Sequence, residues 1–153
     1  MIRPNYLQKG DTVAIVSTAR KVSKKELLPA LAILKNWKLN VVIGNSIEAE
    51  EQQFAGNDKL RASDFQEMLD NPKIKAIWCA RGGYGTIRMI DLLDFSNFKN
   101  NPKWIIGYSD VTVLHSHLHQ LGFETLHAQM PVSIETKTAA CVQSLKNSLF
   151  GNN

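Results

Sequence analysis

Two cysteines in 153 residues, Cys79 and Cys141, are too few for a disulfide scaffold, and no C-x-x-C pairing supplies half of a cysteine zinc site. Both lie in apolar surroundings, which suits a reducing compartment and a cytoplasmic location. No apolar run approaches the roughly 18 residues that a membrane span needs. The first ten residues are polar and lack the apolar centre of a signal peptide, so no membrane is expected as a partner. Charge of one sign is also scarce. Lys plus Arg is 18 and Asp plus Glu is 14, a formal +4, and the basic residues are scattered, so nucleic acid is not an expected partner either. Neither G-x-G-x-x-G nor G-x-x-x-x-G-K-[ST] occurs, which removes the dinucleotide and P-loop signatures, and no H-E-x-x-H offers a zinc peptidase helix.

What remains is a globular balance, 44% hydrophobic and 21% charged. The length suits one domain that buries about two-thirds of its unfolded surface. Periodicity alternates between two types. A β-rich run, Thr12–Val16, ends at Ser17-Thr18-Ala19-Arg20. Ser23 and Glu26 then form a capping box, and Leu27, Leu31, Leu34 and Trp37 follow at helical spacing, with Pro29 tolerated near the first turn. Strands are expected at 39–43, 74–79, 104–108 and 124–127. Between them, 54–58 reads as a polar loop and 60–69 as a helix stopped by Asn71-Pro72. A short helix should run through Met89, Ile90 and Leu93, a longer one over 109–121 ending at Gly122, and a last one over 136–150. Strands alternating with helices specify βαβ units, hence a three-layer α/β domain over 1–153 with a mostly parallel five-stranded sheet and helices on both faces.

In such sheets the loops at the carboxyl ends of the strands form the ligand crevice. Those loops are 17–21, 81–86 and 107–112, and they hold the least ordinary residues of the chain. Gly107-Tyr108-Ser109-Asp110-Val111 lies at a strand-to-helix junction, where a tight turn lifts its central side chain above the sheet edge. A serine so placed is a nucleophile elbow, and the N–H groups from Asp110 onward could stabilise an oxyanion. The second glycine of G-x-S-x-G is missing, and on local spacing alone the commoner role for Ser109 is the N-cap of its helix. Arg81-Gly82-Gly83-Tyr84-Gly85 lets the backbone approach a ligand and turn N–H groups towards an anion, with Arg81 able either to clamp a carboxylate or to sit in a structural salt bridge. His115 and His119 are one helical turn apart, as metal ligands sometimes are, but should point along the sheet or outwards. His127, at the end of the fifth strand, is the internal candidate partner for Ser109. Asp110 and Asp58 are available acids with bland readings as helix-start or turn residues.

The glycine loop followed by Gly107-Tyr108-Ser109-Asp110-Val111-Thr112 resembles the LD-carboxypeptidase family of serine peptidases, which includes the murein tetrapeptide carboxypeptidases and the microcin C self-immunity peptidases. Gly10-Asp11-Thr12-Val13, Phe54-Ala55-Gly56-Asn57-Asp58 with Arg61 and Asp64, Ala76-Ile77-Trp78, and Leu93-Asp94-Phe95 support the likeness in order along the chain. The resemblance implies a flavodoxin-like fold akin to the class I glutamine amidotransferases. It implies hydrolysis of an L,D-peptide bond that releases D-alanine from murein tetrapeptide in cytoplasmic peptidoglycan recycling. It assigns Ser109 as nucleophile, the N–H groups of Asp110 and Gly83 to the oxyanion hole, and Arg81, Gly82 and Tyr84 to the substrate edge. No metal or other cofactor is required.

The family's enzymes also have a second domain, which carries the triad Glu and His, and the full-length enzyme is expected to be a homodimer. Residues 110–153 show no second βα-rich unit, so this chain looks like the N-terminal half alone, expected to bind peptide weakly without turnover and to self-associate through the face that meets the missing domain. Leu126-His127-Ala128-Gln129-Met130-Pro131 also lacks the glycine expected after its histidine. The alternatives are a non-catalytic module for a small anionic ligand or peptide carboxylate, and a metal-binding regulator built on the histidines.

Overall fold

A computed structural model describes residues 1–152. Five strands, β1 (Thr12–Val16), β2 (Asn40–Ile43), β3 (Ile74–Cys79), β4 (Trp104–Gly107) and β5 (Leu126–His127), form one sheet in the order β2-β1-β3-β4-β5. Every pairing is parallel. This is the flavodoxin-like strand order, and the sheet is entirely parallel where a mostly parallel one was expected.

The strands carry apolar side chains in both directions, and each direction feeds its own core. Val13, Ile15, Ala76, Trp78, Trp104 and Ile106 pack with Leu27, Ala30 and Leu34 of α1 (Lys24–Asn36) and with Leu145 and Leu149 of α6 (Ala139–Phe150). Ala14, Val16, Ile77, Cys79 and Ile105 pack on the opposite face. There they meet α2 (Asp58–Asp70), α3 (Thr86–Met89), α4 (Ser96–Asn100) and α5 (Thr112–Gln120), through Phe65, Met89, Phe98 and Leu114. Burial on both faces is why these strands read as continuous apolar runs.

The Ser23 and Glu26 capping box forms as the sequence predicts: Glu26 N–H donates to Ser23 Oγ, and Ser23 N–H donates to the Glu26 carboxylate at 2.8 Å. That hydrogen bond holds the Glu26 carboxyl below its ordinary pKa. Several expectations are corrected. The helix expected over 109–121 is a 3₁₀ turn, Ser109–Val111, followed by α5. The helix expected over 136–150 is divided: a 3₁₀ segment, Pro131–Thr136, precedes α6, which Thr138 caps. Helix α4 has no counterpart in the sequence reading, because five residues are too short to show a period. The loop 54–58 is less polar in place than in sequence, with Ala55 and Gly56 buried and Phe54 half-buried. Among the described residues no helix is long and apolar enough to cross a membrane.

Candidate active site

Helix α1 leaves β1 on one face of the sheet, and α3 leaves the neighbouring β3 on the other. The chain therefore parts above these two strands and opens the crevice where ligands of such sheets bind. The loops from β1 and β3 are pressed together there. A Cβ on Gly85, whose φ is +152°, would stand 2.8 Å from the Ala19 Cα, and one on Gly83, whose φ is +100°, would stand 2.7 Å from the Arg20 side chain. Gly85→Ala is expected to cost about 1–3 kcal/mol in urea unfolding, since backbone strain and a backbone collision coincide. Gly10→Ala, with a φ of +94° but open space around it, should cost less. Equal losses would show that the close approach of the two loops is not what demands glycine.

The loop from β4 meets the glycine loop on its other side. A Cβ on Gly82 would lie 3.5 Å from the Asp110 backbone nitrogen. Ser109 holds φ at +60°, in the left-handed region that costs an L residue about 1–2 kcal/mol. It is not the helix cap: the N-cap position belongs to Tyr108, and no side chain caps the turn. The exposed Ser109 lines a cavity of about 220 Å³ together with Arg81, Gly82, Gly83, Arg20, Met130 and others. An exposed hydroxyl on a strained corner, with backbone N–H groups of the helix start and of a glycine loop beside it, is an arrangement suited to acyl transfer.

Of the remaining site residues, Arg81 is shared between this cavity and a larger one of about 570 Å³ lined by Lys21, Glu26, Glu48 and Glu50. Its guanidinium rests 3.8 Å from the Glu26 carboxylate and donates to the Lys21 carbonyl at 3.3 Å. Pairs this open and this long add little to stability, so Arg81 is free to exchange partners. Tyr84 stands apart from the Ser109 cavity: half exposed, with φ at +82°, its ring lies 6.3 Å from that of Phe54. The Asp110 carboxylate turns away to Thr86, whose N–H and hydroxyl both donate to it.

The histidines depart from expectation. His115 is buried, and both ring nitrogens are engaged, so it is not available as a metal ligand. Nε2 bonds the Gly107 carbonyl at 2.9 Å, which only accepts, so Nε2 carries the proton and the Thr125 hydroxyl donates to Nδ1 at 2.8 Å. Among the described residues no three His, Cys, Asp or Glu side chains gather as a metal site. His127 is exposed and lines a second pocket with Tyr108, Gln129, Lys137 and Cys141. Tyr108 lines this pocket and the Ser109 cavity alike, and its ring lies 6.2 Å from that of His127, so the two openings are neighbours and His127 stands outside the lining of the Ser109 cavity.

Burial, and secondarily the charge of His127, pushes the His115 pKa down from its ordinary value. Above about pH 6.5 the ring is neutral in both folded and unfolded states and contributes no pH dependence. As pH falls below that, the unfolded chain takes the proton first, so stability drops. Urea unfolding at about pH 7.5 and pH 5.5 should show this loss in the wild type and much less of it in His115→Gln. An unchanged loss in the variant would place its origin elsewhere.

Sequence reasoning missed Thr18 and Thr86 entirely, and it saw Arg61 without its role. Arg61 is fully buried and donates to the carbonyls of Thr18 and Gly56 and to the Asp58 carboxylate, with Gly85 O at 3.4 Å. It thereby ties the loops after β1, β2 and β3 together. No local pattern marks a buried arginine, because its helix carries it at an ordinary i, i+3 spacing from Asp58.

A family model for the LD-carboxypeptidase N-terminal domain, peptidase family S66, matches residues 13–128. The chain belongs to this family. A probable murein peptide carboxypeptidase of Bacillus subtilis is 39% identical over 129 residues, 84% of this chain and 40% of that protein. Among solved structures, the microcin C7 self-immunity protein MccF in complex with aspartyl sulfamoyl adenosine superposes with a TM-score of 0.87 at 25% identity, covering 94% of this chain and 45% of that one. A muramoyltetrapeptide carboxypeptidase of Oxalobacter formigenes gives 0.78 at 25% identity, covering 90% and 47%. The chain thus spans less than half the length of each of these three relatives. The family's name for the matched domain and the α/β fold agree with the resemblance drawn from the glycine loop and the Ser109 turn.

Proposed function

We propose that this chain is the nucleophile-bearing half of a serine carboxypeptidase that cleaves an L,D-peptide bond and releases D-alanine from a murein tetrapeptide. The observation that carries this reading is Ser109, exposed at φ +60° in one cavity with Gly82 and Gly83, within a chain of the LD-carboxypeptidase family. Ser109 Oγ adds to the carbonyl carbon of the scissile bond and gives its proton to a general base. The oxyanion is held by the N–H groups of Asp110 and Gly83, and Arg81 exchanges Glu26 for the terminal carboxylate of the substrate. Collapse breaks the C–N bond, the amine of D-alanine takes the proton, and water then hydrolyses the acyl-enzyme.

No histidine or carboxylate lines the Ser109 cavity among the described residues, so the base is assigned to the family's second half, and this chain alone is assigned weak peptide binding without turnover. Two unpaired cysteines, one of them buried Cys79 with its thiol pushed up to about 12, fit work in the reducing cytoplasm. A second reading, an aminoacyl-nucleotide substrate, is favoured by the likeness to MccF bound to aspartyl sulfamoyl adenosine. The murein reading stands first because the more similar Bacillus relative is named for it.

The test is D-alanine release from muramyl tetrapeptide, followed by mass spectrometry, for the chain alone and for the chain supplied with the second half of the Bacillus relative. Release only in the combined sample is expected. Ser109-dependent release by the chain alone would mean that the base lies within these residues. No release in either sample, with cleavage of an aminoacyl sulfamoyl nucleotide instead, would favour the second reading.

A further inference from the structure

Within the strained turn at Ser109 the Val111 N–H donates to the Tyr108 carbonyl at 3.2 Å, but no side chain caps it. Its Asp110 side chain is tied to the first residue after the glycine loop. Asp110 Oδ2 accepts from the Thr86 N–H at 2.9 Å and from the Thr86 hydroxyl at 2.7 Å. A carboxylate only accepts, so the Thr86 proton is committed to Asp110. The 2.8 Å contact between Thr18 Oγ1 and Thr86 Oγ1 must then run with Thr18 as donor. Thr18 and Thr86 are both fully buried, and the Thr18 carbonyl receives Arg61 Nε at 3.1 Å. One directed chain of hydrogen bonds therefore runs from helix α2 through the loop after β1 to the first residue of α3 and ends on the residue that follows Ser109.

We propose that Asp110 and Thr86, backed by Thr18, are positioning residues that set the Ser109 turn against the glycine loop. This rests on the reading of Ser109 as nucleophile. The covalent spacing makes the argument: Asp110 supplies one proposed oxyanion donor from its own backbone, and Thr86 lies three residues after Gly83, which supplies the other. The Asp110 carboxylate bond thus fixes the separation of the two donors and holds Ser109 in a backbone region that a serine leaves when unrestrained. Two donors held in place before reaction stabilise an oxyanion without reorganisation, and a misplacement of about 1 Å can cost about 10²-fold in rate.

The test has two readouts on Thr86→Val, which removes the hydroxyl at constant shape, and Thr86→Ser, which restores it. NMR couplings that report the sign of the Ser109 φ are measured on the chain itself. Positive φ is expected in the wild type and Thr86→Ser, and loss of a single positive-φ state in Thr86→Val. In the combined sample that releases D-alanine, Thr86→Val should lower kcat about 100-fold with KM changed less than about threefold, and Thr86→Ser should recover most of kcat. Should Thr86→Val fail to fold, Asp110→Asn, which keeps the shape and removes the charge, is read in the same way and is expected to fall between them.

An unchanged φ and an unchanged kcat in these variants would overturn the positioning role while leaving the carboxypeptidase reading intact. Absence of D-alanine release in the wild type would overturn that reading, and the φ measurement would still decide whether Asp110 and Thr86 hold the turn.

Discussion

Ser109→Ala is expected to reduce D-alanine release in the combined sample by about 10⁴-fold or more, leaving only what the oxyanion donors and substrate binding supply. The same substitution should change folding stability by less than about 0.5 kcal/mol. Both expectations come from one geometry. The Ser109 side chain is exposed and caps nothing, so its removal takes away no fold contact. Alanine meets the same cost at φ +60° as serine, because both carry a Cβ. A matched pair of measurements, release rate by mass spectrometry and urea midpoint, separates the two effects. Residual release above about a hundredth of the wild-type rate would remove Ser109 from the chemistry. A large stability loss at normal activity would return it to the structural role that its spacing alone suggested.

Arg61→Met should cost about 3–5 kcal/mol, a large part of the 5–15 kcal/mol that a domain of this kind possesses. The guanidinium is fully buried, serves the carbonyls of Thr18 and Gly56 and the Asp58 carboxylate, and lies 4.9 Å above the Phe54 ring. Methionine fills much of the same space and serves none of these acceptors, and each buried acceptor left unpaired costs about 1–3 kcal/mol. Arg61→Lys keeps the charge but brings a point donor where a planar fork spans separate loops, so most of the loss should remain. Arg88→Ala provides the contrast. Its pair with Asp58, at 3.0 Å, is open to solvent, and its removal should cost less than about 1 kcal/mol. The decisive comparison is the urea midpoint of the three variants: an Arg61→Met loss as small as that of Arg88→Ala would mean that the loops after β1, β2 and β3 are held by something else.

These two residues also mark how far local pattern reaches. The strands were readable because burial on both faces leaves uninterrupted apolar runs such as Ile74–Cys79, and the start of α1 because its capping box lies within four residues. The Ser109 turn and the glycine loop stood out because glycine in number, placed just after a strand, answers a need of the backbone that few other sites have. Loop 54–58 misled for the opposite reason: read as a polar loop, it holds Ala55 and Gly56 buried, the Ala55 N–H bonded to the Ala19 carbonyl and the Gly56 carbonyl to Arg61, partners that lie outside the loop.

The fold class, the alternation of strand and helix, and the two loops that carry the candidate chemistry were thus written in short stretches of the chain, since each depends on periodicity or on backbone freedom over a few residues. The choice between cap and corner for Ser109, the inward turn of His115, and the chain of bonds from Arg61 through Thr18 and Thr86 to Asp110 were settled only in the folded molecule. The chain of bonds joins loops far apart in sequence and so leaves no period or spacing by which to find it, while the Ser109 corner and the His115 burial rest on a backbone angle and a packing that their neighbours in sequence do not determine.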